Sequence, residues 1–262
     1  MVIIFTRIFV STLYNDYYVQ INYTLIHQSY RASTHRMGSS IYPQLDSQKT
    51  RDIVQSTSYQ EAQITSRYTV GMSKKTEMDA LVREIISKDI CPELSSQAIQ
   101  LVMGEGSLDA DIVFIGEAPG KKEDEQGRPF VGAAGKVLNS MLEAAQMSRE
   151  DVYITNIVKY RPPDNRDPLA TEKAAFLPYL LRQLDIIQPK VVVTLGRHSM
   201  EYFLPGEIIG DVHGQVRRVD LDGRSLIVMP LYHPAATIYN RSLRPTLFDD
   251  FLRIQATASN LS

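Results

Sequence analysis

The chain has 262 residues, room for one large α/β domain or two small ones, with 28 Lys and Arg against 30 Asp and Glu and a net charge of −2. That balance excludes a global basic field, so a nucleic-acid partner must be met by a local positive surface. No apolar run reaches the roughly 18 residues of a membrane span. A single cysteine, Cys91, excludes an intrachain disulfide and any metal site built on cysteines alone, and it fits a reducing cytosol.

Residues 1–71 differ from the rest: Ser, Thr, Tyr, Gln and Asn dominate and regular periodicity is lacking. The apolar opening, residues 1–10, is soon broken by Asn15 and Asp16, and no convincing small-residue cleavage pattern follows it. Few acids with Arg31 and Arg36 give a faint transit-peptide signature. The favoured reading is a disordered extension, or translated sequence ahead of a start at Met72. Residues 72–262 have the pattern of a single domain.

Leu81, Ile85 and Ile86 predict a helix over 78–90, and the apolar run 111–115 a buried strand. A helix over 132–146 carries Val137, Leu138, Met141 and Leu142 on one face. Residues 151–155 form a second strand. The proline-laden stretch 161–168 is excluded from helix, and Thr171 then caps a long helix bearing Leu180, Leu181, Leu184 and Ile187. A third strand, 191–196, is unbroken in its apolar character and so buried on both faces. Residues 226–230 form a fourth, and 248–254 a closing helix. Strands alternating with helices predict an α/β fold: a three-layer, open, mainly parallel sheet with helices on both faces.

Chemistry gathers just beyond the strand ends, where such sheets bind ligands. The first strand runs into Gly116-Glu117-Ala118-Pro119-Gly120, then Gly127-Arg128-Pro129-Phe130-Val131-Gly132. Glycines let backbone approach a ligand, proline fixes the turn, and an acid beside an aromatic ring suits a flat substrate. The segment 116–121 imitates a phosphate-binding loop, but it has three residues between its glycines and Lys122, not Ser or Thr, after Lys121. The second strand ends on Thr155 and Asn156 and leads to Lys159; the fourth leads to His233-Pro234-Ala235. Alone, Asn156 reads as a turn residue, Phe130 as core, and His233 as structural or functional with equal weight. Placement on one rim favours a shared pocket.

Those blocks, with Thr155-Asn156-Ile157-Val158-Lys159 and Arg161-Pro162-Pro163-Asp164-Asn165-Arg166, resemble the family 4 uracil-DNA glycosylases in order and spacing across about residues 85–255. The resemblance implies hydrolysis of the N-glycosidic bond of uracil flipped out of DNA, the first step of base excision repair. It implies Glu117 positions the attacking water, His233 stabilises charge on the departing base, and Asn165 has a supporting catalytic or structural part. Phe130 stacks on uracil and the Asn156 amide pairs with O4 and N3–H, while Ala118, Gly120 and Glu123 line the pocket. Ile238 and Tyr239 lie where the family inserts a wedge into the minor groove. Lys159, Arg161, Arg166, Arg241 and Arg244 are the expected phosphate contacts.

The family usually holds a [4Fe–4S] cluster on four cysteines. Here Lys88, Cys91, Tyr160 and Phe176 stand at those positions, and one thiolate cannot hold a cubane. The expectation is an active, cluster-free member without any other cofactor, its vacated volume filled by two rings and the lysine stem. It is expected to be cytoplasmic and monomeric, with DNA as its partner. The alternative is a catalytically silent protein that grips uracil-containing or single-stranded DNA.

Overall fold

The computed structural model describes residues 72–261, so the expectations for residues 1–71 lie outside the described residues. Its centre is a six-stranded sheet in the order β1-β3-β2-β4-β6-β5. The four inner strands are β3 (Tyr153–Asn156), β2 (Ile112–Gly116), β4 (Val191–Leu195) and β6 (Arg224–Leu231), and they run parallel. Two antiparallel edges complete it: β1 (Glu105–Gly106) against β3 and β5 (Arg217–Leu221) against β6. The inner strands are the four expected from the apolar runs, each within about two residues at its ends, a margin normal for strand limits.

Successive side chains on a strand point to opposite faces, so each buried strand feeds two cores. Val113 and Ile115 of β2 face a core built with α1 (Lys74–Ser87) and α5 (Ala170–Ile187), including Leu81, Ile85, Leu180 and Leu184. Ile112 and Phe114 face the other, which takes Leu138, Met141 and Leu142 from α4 (Ala133–Ala144) and Leu247, Phe251 and Ile254 from α9 (Leu243–Asn260). Phe114 and Phe251 stack across it at 5.6 Å between ring centroids. These are the three layers expected from the sequence.

Local differences have local causes. The long helix α5 begins one residue before Thr171; its N-cap is Leu169, whose amide donates to the Glu172 carboxylate at 2.7 Å. The acid two residues inside does the work expected of a Thr hydroxyl. The stretch excluded from helix holds one 3₁₀ turn at Pro163–Asn165, short enough for proline at its first position. The closing helix, 18 residues, is more than twice as long as its apolar core suggested, because its polar residues continue the turns on the solvent side. The remaining short helices are α2 (Pro92–Ser95), α3 (Lys121–Gln126), α6 (Arg197–Met200), α7 (Ile209–Val212) and α8 (Ala236–Tyr239). No helix among the described residues is long and apolar enough to cross a membrane.

Candidate active site

The carboxyl ends of the four parallel strands bring the expected groups together. Gly116, the last residue of β2, is paired in register with Asn156, the last of β3. A methyl built on Gly116 would strike the Asn156 carboxamide oxygen and lie 2.6 Å from Phe130 Cζ, so both flat groups close over this glycine. The Phe130 ring lies 5.8 Å from the His233 imidazole, tilted by 34°. His233 follows β6 and rests against Gly196, just beyond β4, where an added Cβ would come within 2.9 Å of its own. Ring, amide and imidazole therefore meet at one rim of the sheet.

The Phe130 loop is braced at several points. Phe130 sits at φ 51°, a left-handed conformation rare for a bulky residue and held only where neighbours over-determine it. The Glu123 carboxylate accepts from the amides of Val131 and Gly132 at 2.9 and 2.8 Å, and Arg149 Nη2 donates to the Pro129 carbonyl. Arg149 in turn pairs with Glu105, which also holds Arg128. Glu123 thus shapes the loop from behind. Gly120 caps α3 beside it, and Ala118 is half-buried against the α1–α5 core.

Asn156 is buried, and its carboxamide makes no hydrogen bond among the described residues, which leaves it free for a ligand. Its backbone is anchored by Lys159, whose Nζ donates to the Asn156 carbonyl and to Thr155 Oγ1, both at 2.7 Å. Lys159 is fully buried, and burial drives its pKa well below the ordinary lysine value. The phosphate contact expected of it is therefore corrected: an ammonium enclosed in protein reaches no DNA. Its stem continues the core and its head ties down the strand end.

His233 is a neutral donor. The Ala235 amide donates to Nδ1 at 3.2 Å, which places the ring proton on Nε2. Burial, with His198 nearby, holds its pKa down to about 4. Glu117 is the opposite case: burial, and then the repulsion of Asp167, push its carboxyl up to about 7, and Oε1 is buried without a hydrogen-bond partner among the described residues. Below about pH 4.5 the acid is neutral folded or unfolded; as pH rises to 7 only the unfolded state sheds the proton freely, so stability falls across that window. Glu117→Gln, which mimics the neutral form, is expected to raise the melting temperature at pH 8 by a few degrees. That is about 1–2 kcal/mol after allowance for partial solvent access. Melting curves should show the gain shrinking to about a quarter by pH 5.

The remaining expected residues divide by position. Ile238 and Tyr239 are exposed on α8, Tyr239 at 90 %, and Arg241 and Arg244 are exposed just after it. Arg166 is engaged instead in a two-bond pair with Glu172 at 2.9 and 2.6 Å, which fixes the start of α5. Asn165 is exposed, and its Oδ1 accepts from Arg161 Nε at 2.7 Å; this contact orients Arg161 and gives no catalytic geometry. Two residues went unnoticed in the sequence. His198, three residues beyond the end of β4, places Nδ1 3.7 Å from Glu117 Oε1, and Asp167 lies 3.4 Å from its Nε2. Position at a parallel strand end, the signal that found the other three sites, would have found His198 as well.

At the cluster positions, Cys91, Tyr160 and Phe176 are buried in one core, and the two rings meet edge to face at 6.0 Å. Burial, then Glu93, pushes the Cys91 thiol up to about 12, so it is not a thiolate at neutral pH. This donor set does not fit a four-thiolate cluster. Lys88 corrects the expectation that its stem fills the space: it stands in solvent, its Nζ 2.7 Å from Glu84.

Residues 103–254 match the family model of the uracil DNA glycosylase superfamily, and the chain belongs to that superfamily. Its relatives include several type-4 uracil-DNA glycosylases. It is 47 % identical over 187 residues to the type-4 uracil-DNA glycosylase of Sulfurisphaera tokodaii, covering 69 % of this chain and 84 % of that one. It is 45 % identical to that of Archaeoglobus fulgidus (68 and 91 %) and 41 % identical to that of Thermotoga maritima (68 and 94 %).

Proposed function

We propose that this chain excises uracil from DNA by hydrolysing the bond between the base and its deoxyribose. The observation that carries the reading is the meeting of Phe130, Asn156 and His233 over Gly116, with Glu117 at the same strand end. An extruded pyrimidine stacks on Phe130. The Asn156 amide donates to uracil O4 and accepts from N3–H, a pattern that cytosine reverses. His233 Nε2–H donates to O2 and takes up the charge that develops as the N1–C1′ bond breaks. Ionised Glu117 stabilises the cationic sugar and receives a proton from the water that attacks C1′. Asn165 supports this from a distance by orienting Arg161.

Ile238 and Tyr239 form the wedge that fills the space left by the base, and Arg161, Arg241 and Arg244 hold the phosphates of the bent strand. All these groups come from one chain, which supports action as a monomer, and the reducing environment suggested by the lone cysteine supports the cytoplasm. The type-4 region usually occupied by a cluster is closed by Tyr160, Phe176 and the Cys91 thiol, and we take the chain to work without one. Purified protein should be colourless, with iron far below one cluster per chain; stoichiometric iron by elemental analysis would contradict this.

The test of activity is direct. A labelled oligonucleotide with one uracil is incubated with the protein, then treated with alkali. Scission at the uracil that is lost in the Glu117→Ala and His233→Ala variants is the expected result. Tight binding without scission would instead make the chain a silent binder.

A further inference from the structure

His198 is unclaimed by the mechanism above, yet it faces the catalytic acid. It lies in the first turn of α6, with a side chain about a quarter exposed. Arg197 Nε–H donates to its Nε2 at 3.1 Å, so that nitrogen accepts and a neutral ring carries its proton on Nδ1. Nδ1 points toward Glu117 Oε1 at 3.7 Å, too far for a direct hydrogen bond. Oε1 is also the buried carboxylate oxygen that no group among the described residues satisfies. A donor and an orphaned acceptor at this separation can both reach one water oxygen at about 2.8 Å.

We propose that His198 is a second holder of the attacking water: Nδ1–H donates to the water oxygen while the water donates one proton to Glu117 Oε1. This rests on the excision reading above. The water's remaining lone pair is then turned toward the pocket. As the N1–C1′ electron pair leaves with uracil, the water oxygen bonds to C1′ and its proton passes to Glu117. The imidazole does not change its protonation state. It fixes the orientation of the nucleophile, which a carboxylate with one contact cannot do alone.

The electrostatic surroundings agree. Glu117 faces Asp167, Lys173, Arg197 and His198; His198 faces Asp167, Arg197, Lys173, Glu201, Glu117 and His233. Burial lowers the His198 pKa, against the pull of Asp167, so the ring is neutral at pH 7. A cation there would compete for the Glu117 carboxylate directly; a neutral N–H leaves it free to take the water's proton.

The test compares single-turnover excision with binding. Binding is read on a duplex bearing 2′-fluoro-deoxyuridine, whose fluorine destabilises the cationic sugar and blocks cleavage. His198→Ala is expected to slow excision about 5- to 10-fold, the worth of one hydrogen bond between neutral groups, with Kd for the fluorinated duplex unchanged. His198→Asn, which returns an amide N–H, should recover most of the rate. The double variant with Glu117→Ala should be no slower than Glu117→Ala alone, because both groups act through one water. Should the alanine variant not fold, His198→Phe fills the ring's volume without the N–H and must show the same loss. Excision within threefold of wild type, failed rescue by Asn, or a double variant slowed by the product of the two single losses overturns the proposal. A wild-type chain that binds uracil-containing duplex without cutting it refutes the excision reading beneath, a separate result.

Discussion

Replacing His233 with alanine is expected to lower single-turnover excision of uracil by about 10²–10³-fold, the usual loss when one preorganised donor to a developing anion is removed. The donor works as a neutral group. Its pKa near 4 keeps the imidazole uncharged at any pH where the enzyme is assayed, and the Ala235 amide fixes the proton on Nε2. The pH–rate profile should therefore show no limb from His233 above about pH 5; the acid limb near 7 belongs to Glu117, whose ionised form is required. His233→Gln should fall between wild type and alanine, since its amide can donate but is not held by Gly196 and Phe130. An alanine variant that excises uracil at the wild-type rate would remove His233 from the reaction.

The second large effect is at a residue without a side chain. Gly116→Ala is expected to lower kcat/KM for uracil-containing duplex by about 10²-fold, the cost of misplacing positioned groups by an ångström or so. The new methyl has two neighbours to displace, the Asn156 carboxamide oxygen and the Phe130 ring, and these are the groups proposed to read and stack the base. Gly116 lies outside the left-handed region, so alanine adds no backbone strain there. Overpacking should cost about 1–3 kcal/mol of stability, leaving a folded protein with a damaged pocket. Gly206→Ala is the contrasting control. Its φ of 83° makes alanine strained, while nothing lies within 4 Å of the added methyl. That variant should lose stability and keep its rate. If Gly116→Ala excises uracil as fast as Gly206→Ala, the pocket geometry is not what limits catalysis.

The inner strands and their order of function were legible because buried parallel strands are written as unbroken apolar runs, and 112–116 and 191–195 are such runs. The edges were not. Strand β5 alternates half-buried and exposed residues through Arg217 and Asp220, and β1 is only two residues long, so neither carries an apolar signature. Among site residues, Glu117, Asn156 and His233 were singled out by position at strand ends, which fixes where a side chain starts, and their roles came from the family resemblance. Lys159 was misassigned for a related reason: a charge beside a polar motif looks solvent-facing, and only the fold reveals that Thr155 and the Asn156 carbonyl receive it. Arg166 and Asn165 were drawn away by partners, Glu172 and Arg161, that sequence distance does not pair. Thr171 lost its cap role because the helix starts one residue earlier, where the Glu172 carboxylate accepts from the Leu169 amide.

The Tyr160–Phe176 contact beside the Cys91 thiol has a practical consequence. If the chain works without a cluster, as proposed, a region closed by carbon rings sets without waiting for metal delivery, and folding of this part of the molecule is expected not to depend on iron. Oxidants that dismantle inorganic clusters find no target there, and a strong chelator should leave the melting curve where it was. Uracil excision measured after prolonged chelation should then match that of the untreated protein.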